Sequence, residues 1–115
     1  MLDQSLFSTH EIQQHEIELQ DGTKHVFNFK HLSAADHTIT LGGFVSENVE
    51  TRANVITRAI AKSLCDDDGK QIITIEQAAS LKPEVFNRLW DTVFTMNFNL
   101  KAANEDEGEE AEAKN

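Results

Sequence analysis

Residues 15–32 read HEIELQDGTKHVFNFKHL, and this stretch decides the fold class of the chain. Apolar and polar residues alternate on both sides of the pair Asp21 and Gly22, less regularly after it than before it. A period of two around Asp-Gly is typical of a β-hairpin, because successive strand side chains point to opposite faces and Asp-Gly favours a tight turn. The apolar residues of one face are Ile17, Leu19, Phe27 and Phe29. An isolated hairpin is marginally stable, so this face has to pack on another part of the chain.

That other part is predicted to be helical. Apolar residues recur every three or four positions over residues 49–64 and again over residues 81–94, which is the spacing of one face of an α-helix. Ser46 or Asn48 is expected to cap the first of these helices, and the first helix is expected to end near Cys65. The aromatic residues of the second helix are expected to pack in the core.

Two shorter helical segments complete the pattern. Thr74 followed by Gln77 is a capping box and predicts a short helix, and Pro83 is expected to begin the last long helix, since proline is tolerated in a first turn. Residues 34–45 are also predicted to be helical, with a break at Gly42 and Gly43.

The most unusual local sequence is LCDDDGKQI, residues 64–72. As a calcium-binding EF-hand loop with Gly69 at its sixth position, it would have Leu64 first and Ile75 twelfth, where oxygen ligands are required. As a phosphate loop it would repel the anion with three carboxylates. We therefore interpret the stretch as a turn between two helices, in which Gly69 takes a left-handed conformation and reverses the chain.

Composition limits the classes of partner. The 115 residues suffice for one domain with a core. Ten basic and twenty acidic residues give a formal net charge of −10, which disfavours binding to nucleic acid or to an anionic membrane. No segment has the length of a transmembrane helix or the pattern of a signal peptide. Cys65 is the single cysteine, which fits a reducing cytoplasm.

The composition changes after residue 100. Residues 101–115, KAANEDEGEEAEAKN, contain six acidic residues, two lysines and no large apolar side chain. Such a segment buries too little apolar surface to offset its ordering entropy, so a disordered acidic tail is predicted. The fold class predicted for residues 1–100 is therefore α+β and mainly α, one domain in which a hairpin at about residues 15–30 packs on three to four helices.

No pattern of catalytic or metal-binding residues is found in the sequence. The five histidines are His10, His15, His25, His31 and His37. No two of them have the i, i+4 spacing of a helical zinc pair, and no CxxC motif accompanies them. The chain has no GxSxG elbow and no complete phosphate or dinucleotide motif. We expect a protein without a cofactor that is not an enzyme.

Residues 58–97, RAIAKSLCDDDGKQIITIEQAASLKPEVFNRLWDTVFTMN, resemble the tail assembly chaperones of long-tailed bacteriophages. In both, a helix ends in an acid-rich turn, a step into a helix led by proline follows, and the last helix closes near an asparagine. The residues that carry the resemblance are Asp66, Asp68, Gly69 and Lys70 in the turn, Thr74, Glu76, Leu81 and Pro83 in the step, and Asn97 or Asn99 at the end.

The resemblance implies a non-enzymatic phage or prophage protein that acts in the cytoplasm of the bacterial host. Members of the family bind the tape measure protein, a long and largely helical chain, and help the tail tube protein to assemble around it. Many copies coat the tape measure protein and then leave, so the chaperone is not expected in the mature virion. We expect the protein to form weak homo-oligomers. We expect it to bind neither a nucleic acid nor a membrane.

The candidate partner-binding residues are apolar side chains that the two long helices cannot both bury, namely Val55, Phe98 and Leu100. Two other functions remain open from the sequence. One is a small structural tail or head-tail connector protein, and the other is an acidic regulatory protein that mimics the charge of DNA.

Overall fold

The structure is a computed structural model that describes residues 2–7 and 11–98. The described residues contain a short 3₁₀ helix at Gln4–Leu6, then a hairpin, and then four α-helices with a third short strand between the second and the third of them. The elements are β1 (Ile12–Glu18), β2 (Lys24–Lys30), α1 (Ala34–Phe44), α2 (Val49–Ser63), β3 (Leu64–Cys65), α3 (Ile75–Ala79) and α4 (Pro83–Phe98). The predicted fold class, a mainly helical α+β domain with an N-terminal hairpin, is confirmed.

The hairpin is closed by the turn that Asp-Gly predicted. The Leu19 N–H donates to the Thr23 carbonyl at 2.9 Å, the Gly22 N–H donates to the Leu19 carbonyl at 2.9 Å, and Gly22 has a φ of +88°. This is a three-residue loop with glycine in the left-handed position. The register pairs His15 with Phe27 and so places the predicted apolar face on one side of the sheet. Strand β1 begins at Ile12, before the predicted start of the hairpin at about residue 15, because Gln13 and Gln14 interrupt the alternation of polar and apolar residues there.

The acidic turn (residues 66–70) is a second hairpin turn rather than the link between two helices that we predicted. The Asp66 N–H donates to the Lys70 carbonyl at 2.9 Å, the Gly69 N–H donates to the Asp66 carbonyl at 3.0 Å, and Gly69 has a φ of +83°. The pattern repeats that of the first turn. Cys65 faces Gln71 across it in an isolated bridge.

The strand before this turn, β3, pairs antiparallel with β2 and gives the sheet the order β1-β2-β3. Helix α2 therefore ends at Ser63, two residues earlier than predicted, and the backbone of Leu64 and Cys65 is extended. Pairing with β2 satisfies backbone groups of both strands, and Leu64 and Cys65 are almost fully buried.

The helix ends follow local sequence signals. The Asn48 side chain caps α2 by accepting the N–H of Thr51 at 2.9 Å, and Thr74 and Gln77 form the predicted capping box of α3. Pro83 is the first residue of α4, as expected. The predicted break at Gly42 and Gly43 is wrong, since α1 continues through both to Phe44.

The core lies between the inner face of the sheet and the helices. Its fully buried large side chains include Phe29 from β2, Ile60 from α2, and Leu89 and Val93 from α4. Burial of each such side chain contributes about 1.5–3 kcal/mol. The aromatic residues of α4 also pack against this core, as predicted.

Helix α1 packs on α2 at close range. A Cβ atom added to Gly43 would lie 2.8 Å from Cγ2 of Val55 and nearer still to Cγ1, so the two backbones approach where α1 has no side chain. An Arg58–Asp36 ion pair with an N–O distance of 2.6 Å joins the same two helices near the start of α1.

Helix α1 also contacts α4 at both ends. Near its start, the His37 ring stacks on Phe98 with centroids 4.3 Å apart, and at its end Phe44 packs against Trp90 and Phe94 with centroids 5.6 and 5.7 Å away. The Asn97 carboxamide oxygen accepts the Leu32 N–H at 2.9 Å, and its NH₂ group donates to the Val93 carbonyl at 2.8 Å. The two faces of α1 that meet α2 and α4 are thus fixed.

Candidate partner-binding surface

The three residues predicted to bind a partner do not form one surface in the part of the chain that the structure describes. Val55 is half-buried and lies against Gly43 of α1. Phe98 is only 9% exposed and belongs to the core. Leu100 lies outside the described residues, as does the predicted tail at residues 101–115.

Exposed apolar side chains gather instead on the outer side of α1 and on the corner between α1 and α2. Ile39 and Leu41 are each 46% exposed, Val45 is 69% exposed and Val49 is 68% exposed. We call this set the α1 surface; its members are Ala35, Ile39, Leu41, Gly42, Val45 and Val49, all of them exposed. Residues 35, 39 and 42 lie on one side of the helix, because positions three or four apart are neighbours on a helix surface. For the same reason residue 45 lies next to residues 41 and 42, which extends the surface.

The sequence of α1 explains why this surface exists. AADHTITLGGF contains one acidic residue and no lysine or arginine, so apolar residues occupy every side of the helix. The inner sides are used by Thr40, which is buried, and by Phe44. A helix that is apolar all round is ordinarily covered all round. Here the outer side is uncovered, and this apolar composition of residues 34–44 is the signal that the sequence prediction missed.

The polar groups of α1 are satisfied within the helix or on its inner side. Ser33 caps the helix by accepting the Asp36 N–H at 3.2 Å, and the hydroxyls of Thr38 and Thr40 donate to carbonyls one turn earlier. The His37 Nε2 atom lies 3.1 Å from the Asn97 carbonyl oxygen. These groups therefore make their hydrogen bonds inside the domain. An apolar partner on the outer side would leave none of them without a hydrogen bond.

The charged side chains beside the α1 surface differ in whether they are paired within the domain. Arg58 is paired with Asp36, and the guanidinium of Arg52 donates to the Ser46 carbonyl at 2.6 Å. Glu47 and Glu50 are exposed and, within the described residues, make neither a side-chain hydrogen bond nor an ion pair. Arg52 keeps its charge beside a neutral carbonyl, so Glu47, Glu50 and Arg52 together carry a net charge of −1 at this corner.

A second apolar feature lies at the turn end of the hairpin. A cleft of about 150 Å³ is lined by Ile17, Leu19, His25, Phe27 and Val85. Such a volume resembles that of a cavity able to hold a benzene molecule. Beside it, the Gln20 N–H donates to a Glu84 carboxylate oxygen at 2.6 Å and ties the turn to α4.

The acidic turn is organised by its own carboxylates. The Asp66 side chain accepts the N–H groups of Lys70 and Asp68 at 2.9 and 2.8 Å, and these bonds, that of Lys70 foremost, hold the pKa of Asp66 below its ordinary value. Asn28 donates to the Asp67 carboxylate at 2.9 Å, and Lys30 donates to the Gly69 carbonyl at 2.7 Å. The turn is thus anchored on β2 by two side chains.

Reactive groups elsewhere in the described residues are isolated. Burial raises the pKa of the Cys65 thiol, which disfavours the nucleophilic thiolate. The buried hydroxyl of Ser63 has no hydrogen-bond partner and thus no adjacent base. Within residues 2–7 and 11–98, no three His, Cys, Asp or Glu side chains are grouped so as to hold a metal ion.

Comparison with known proteins found no matching family model, no matching curated protein and no matching solved structure. Among the helices of the described residues, none has both the length and the apolar character needed to cross a membrane.

Proposed function

We propose that this protein is a non-enzymatic tail assembly chaperone of a phage or prophage, which binds the tape measure protein in the host cytoplasm and promotes assembly of the tail tube. The α1 surface is the observation that carries the proposal. It offers four large apolar side chains, two on α1 and two at the corner between α1 and α2, while the other sides of α1 are fixed on α2 and α4. Contiguous exposed apolar surface of this kind typically marks a site of protein interaction.

A helical partner suits this surface. Helix α1 has 11 residues and is about 16 Å long, which corresponds to about three turns of a second helix packed alongside it. An amphipathic helix presents apolar residues at i, i+3, i+4 and i+7, and these residues can pack between those of α1. The tape measure protein that the sequence resemblance implies is long, helical and apolar, so it has many such segments.

The net charge supports the same role. A long apolar rod aggregates unless its stripe is covered, and copies that each carry a formal charge of −10 repel one another once they are bound along it. Weak association between neighbouring copies is expected during this coating. The proposal places the protein outside the finished particle.

The experiment is co-expression with a tape measure fragment that precipitates when produced alone. The wild-type chain is expected to keep the fragment soluble. The double variant Ile39→Thr with Val45→Thr removes apolar contact from the α1 surface and should weaken binding about ten-fold, as expected for two partly lost apolar contacts. The matched control is Val26→Thr with Ile72→Thr, which makes the same chemical changes at residues 58% and 54% exposed elsewhere.

Three results would contradict the proposal. If the fragment stays insoluble beside the wild-type chain, the chaperone function is wrong. A stoichiometric amount of the protein in purified particles would favour a structural tail or connector protein. Binding that disappears at moderate salt would favour a mimic of DNA charge, because apolar contacts persist under those conditions.

A further inference from the structure

We propose that the partner of the α1 surface is an amphipathic helix whose apolar stripe is bordered by lysine or arginine, and that Glu47 and Glu50 select it. The inference rests on the proposed function and adds to it the charge pattern of the bound segment. It follows from the balance of unpaired charges at the corner between α1 and α2.

One of the two α2 arginines near this corner is paired with an acid, and the other is held on the backbone. Arg52 donates to the Ser46 carbonyl, and Arg58 is paired with Asp36. Helix α1 itself has no lysine or arginine, and its only histidine lies against the Asn97 carbonyl. Arg58 is thus neutralised by Asp36, whereas Arg52 keeps its positive charge because a carbonyl is neutral; of these two arginines it is the one set against Glu47 and Glu50.

The free anions occupy the rim of the same surface. Glu47 lies between the exposed Val45 and Val49, and Glu50 follows Val49 directly. Both carboxylates are exposed and without an ion pair in the described residues. An acidic rim beside an apolar surface favours a partner with basic residues at the border of its apolar stripe and disfavours one with acidic residues there.

Stabilisation of α2 explains why an acidic residue is found at Glu50, but it does not explain the one at Glu47. An acidic residue in the first turn interacts favourably with the helix dipole, and Glu50 in α2, Glu76 in α3 and Glu84 in α4 all have this position. Each of the three helices has one such residue. Glu47 precedes the Asn48 cap and lies outside the helix, so the corner has one carboxylate in addition to the first-turn acid of α2.

The test uses two labelled synthetic helical peptides with identical leucine stripes. One has lysine and arginine at the border positions of the stripe and the other has glutamate at the same positions. Binding to the full chain is measured by fluorescence anisotropy at low salt and at about 0.15 M salt, where the Debye length is about 8 Å. The basic peptide is expected to bind about three- to ten-fold more tightly at low salt, as expected for two exposed charge pairs, with a smaller preference at the higher salt.

The variant Glu47→Gln with Glu50→Gln should remove this preference while leaving apolar binding. The matched control, Glu16→Gln with Glu76→Gln, changes the net charge by the same amount and also removes one first-turn acid, and it should keep the preference. Circular dichroism establishes that both variants fold.

The outcomes separate the two proposals. If neither peptide binds the wild-type chain, the α1 surface does not take an apolar helix and the proposed function fails with it. If both peptides bind equally, or if Glu47→Gln with Glu50→Gln keeps the preference, the selection by charge is wrong and the proposed function stands. Tighter binding of the acidic peptide would also overturn the inference.

Discussion

The contact between Gly43 and Val55 predicts opposite effects of the same substitution at two adjacent residues. Replacement of a helical glycine by alanine stabilises a helix by about 0.5–1 kcal/mol, because glycine loses more backbone entropy on folding. Gly42→Ala should show this gain, because nothing lies within 4 Å of the added Cβ atom. Both glycines lie within α1, and neither has a positive φ, so backbone strain does not distinguish them.

Gly43→Ala should instead destabilise the protein. The new methyl group would lie 2.8 Å from Cγ2 and 3.0 Å from Cβ of Val55, and both belong to the branched part of a side chain that cannot swing away. Overpacking of this kind costs about 1–3 kcal/mol. After the gain in helix propensity is subtracted, a loss of up to about 2.5 kcal/mol remains, and the two variants should differ by the overpacking cost of about 1–3 kcal/mol.

The assay is urea unfolding at 25 °C, followed by circular dichroism and by the fluorescence of Trp90, which contacts Phe44 at the end of α1. The variant Val55→Ala removes the two methyl groups that obstruct the new side chain. The cycle of Gly43→Ala, Val55→Ala and the double variant should therefore show a favourable coupling of about 0.5–3 kcal/mol. Equal stabilisation by Gly42→Ala and Gly43→Ala, or a coupling near zero, would refute the reasoning that these helices touch through Gly43.

Further predictions concern the acidic turn and the C-terminal segment. Gly69→Val should lower the free energy of unfolding by about 1 kcal/mol or more, since a φ of +83° is unfavourable for a β-branched residue; an unchanged urea midpoint would contradict this. Because the pKa of Asp66 is lowered by folding, its ionised carboxylate stabilises the folded protein. This contribution is fully present above the ordinary carboxyl pKa of about 3.9 and is lost as the pH falls through the lowered value. Asp66→Asn should therefore make stability less dependent on pH below about 4, as measured by unfolding at several acidic pH values. Removal of residues 101–115 should leave the melting temperature nearly unchanged, because the segment has no large apolar side chain to contribute to the core; a large decrease in calorimetry would place it against the domain.

The features predicted correctly from the sequence depend on residues close together in the chain. The turn at Asp21 and Gly22, the capping box of Thr74 and Gln77, and the start of α4 at Pro83 are each decided within about four residues. Their hydrogen bonds and backbone preferences are local, so the sequence pattern is sufficient to predict them.

The features that were missed depend on distant contacts. Leu64 and Cys65 continue the apolar pattern of α2 but adopt an extended conformation, because they pair with Phe29 and Asn28 of β2. Gly43 was predicted to break the helix, whereas its lack of a side chain allows α2 to pack closely on α1.

The candidate surface was missed for a related reason. Phe98 continues the apolar pattern at the end of α4 and was expected to be open to a partner, but it is covered by His37 from α1. Conversely, the uncovered side of α1 cannot be identified until the positions of α2 and α4 are known. Burial is a property of the assembled domain, and the periodicity of one segment does not determine it.

The hydrogen bonds of Asn97 have a consequence for the order in which the chain folds. Asn97 bonds to the Leu32 N–H across 65 residues of sequence, whereas the hairpin turns and helix caps form between near neighbours. Closure of so long a loop is slow compared with local contacts. As the chain is synthesised from its N-terminus, the start of α1 has no partner for the Leu32 N–H or for the His37 ring until the last turn of α4 has been made. The start of α1 therefore gains its contacts with α4 only from the last residues of that helix, and a nascent chain that stops short of Asn97 leaves the Leu32 N–H without its acceptor.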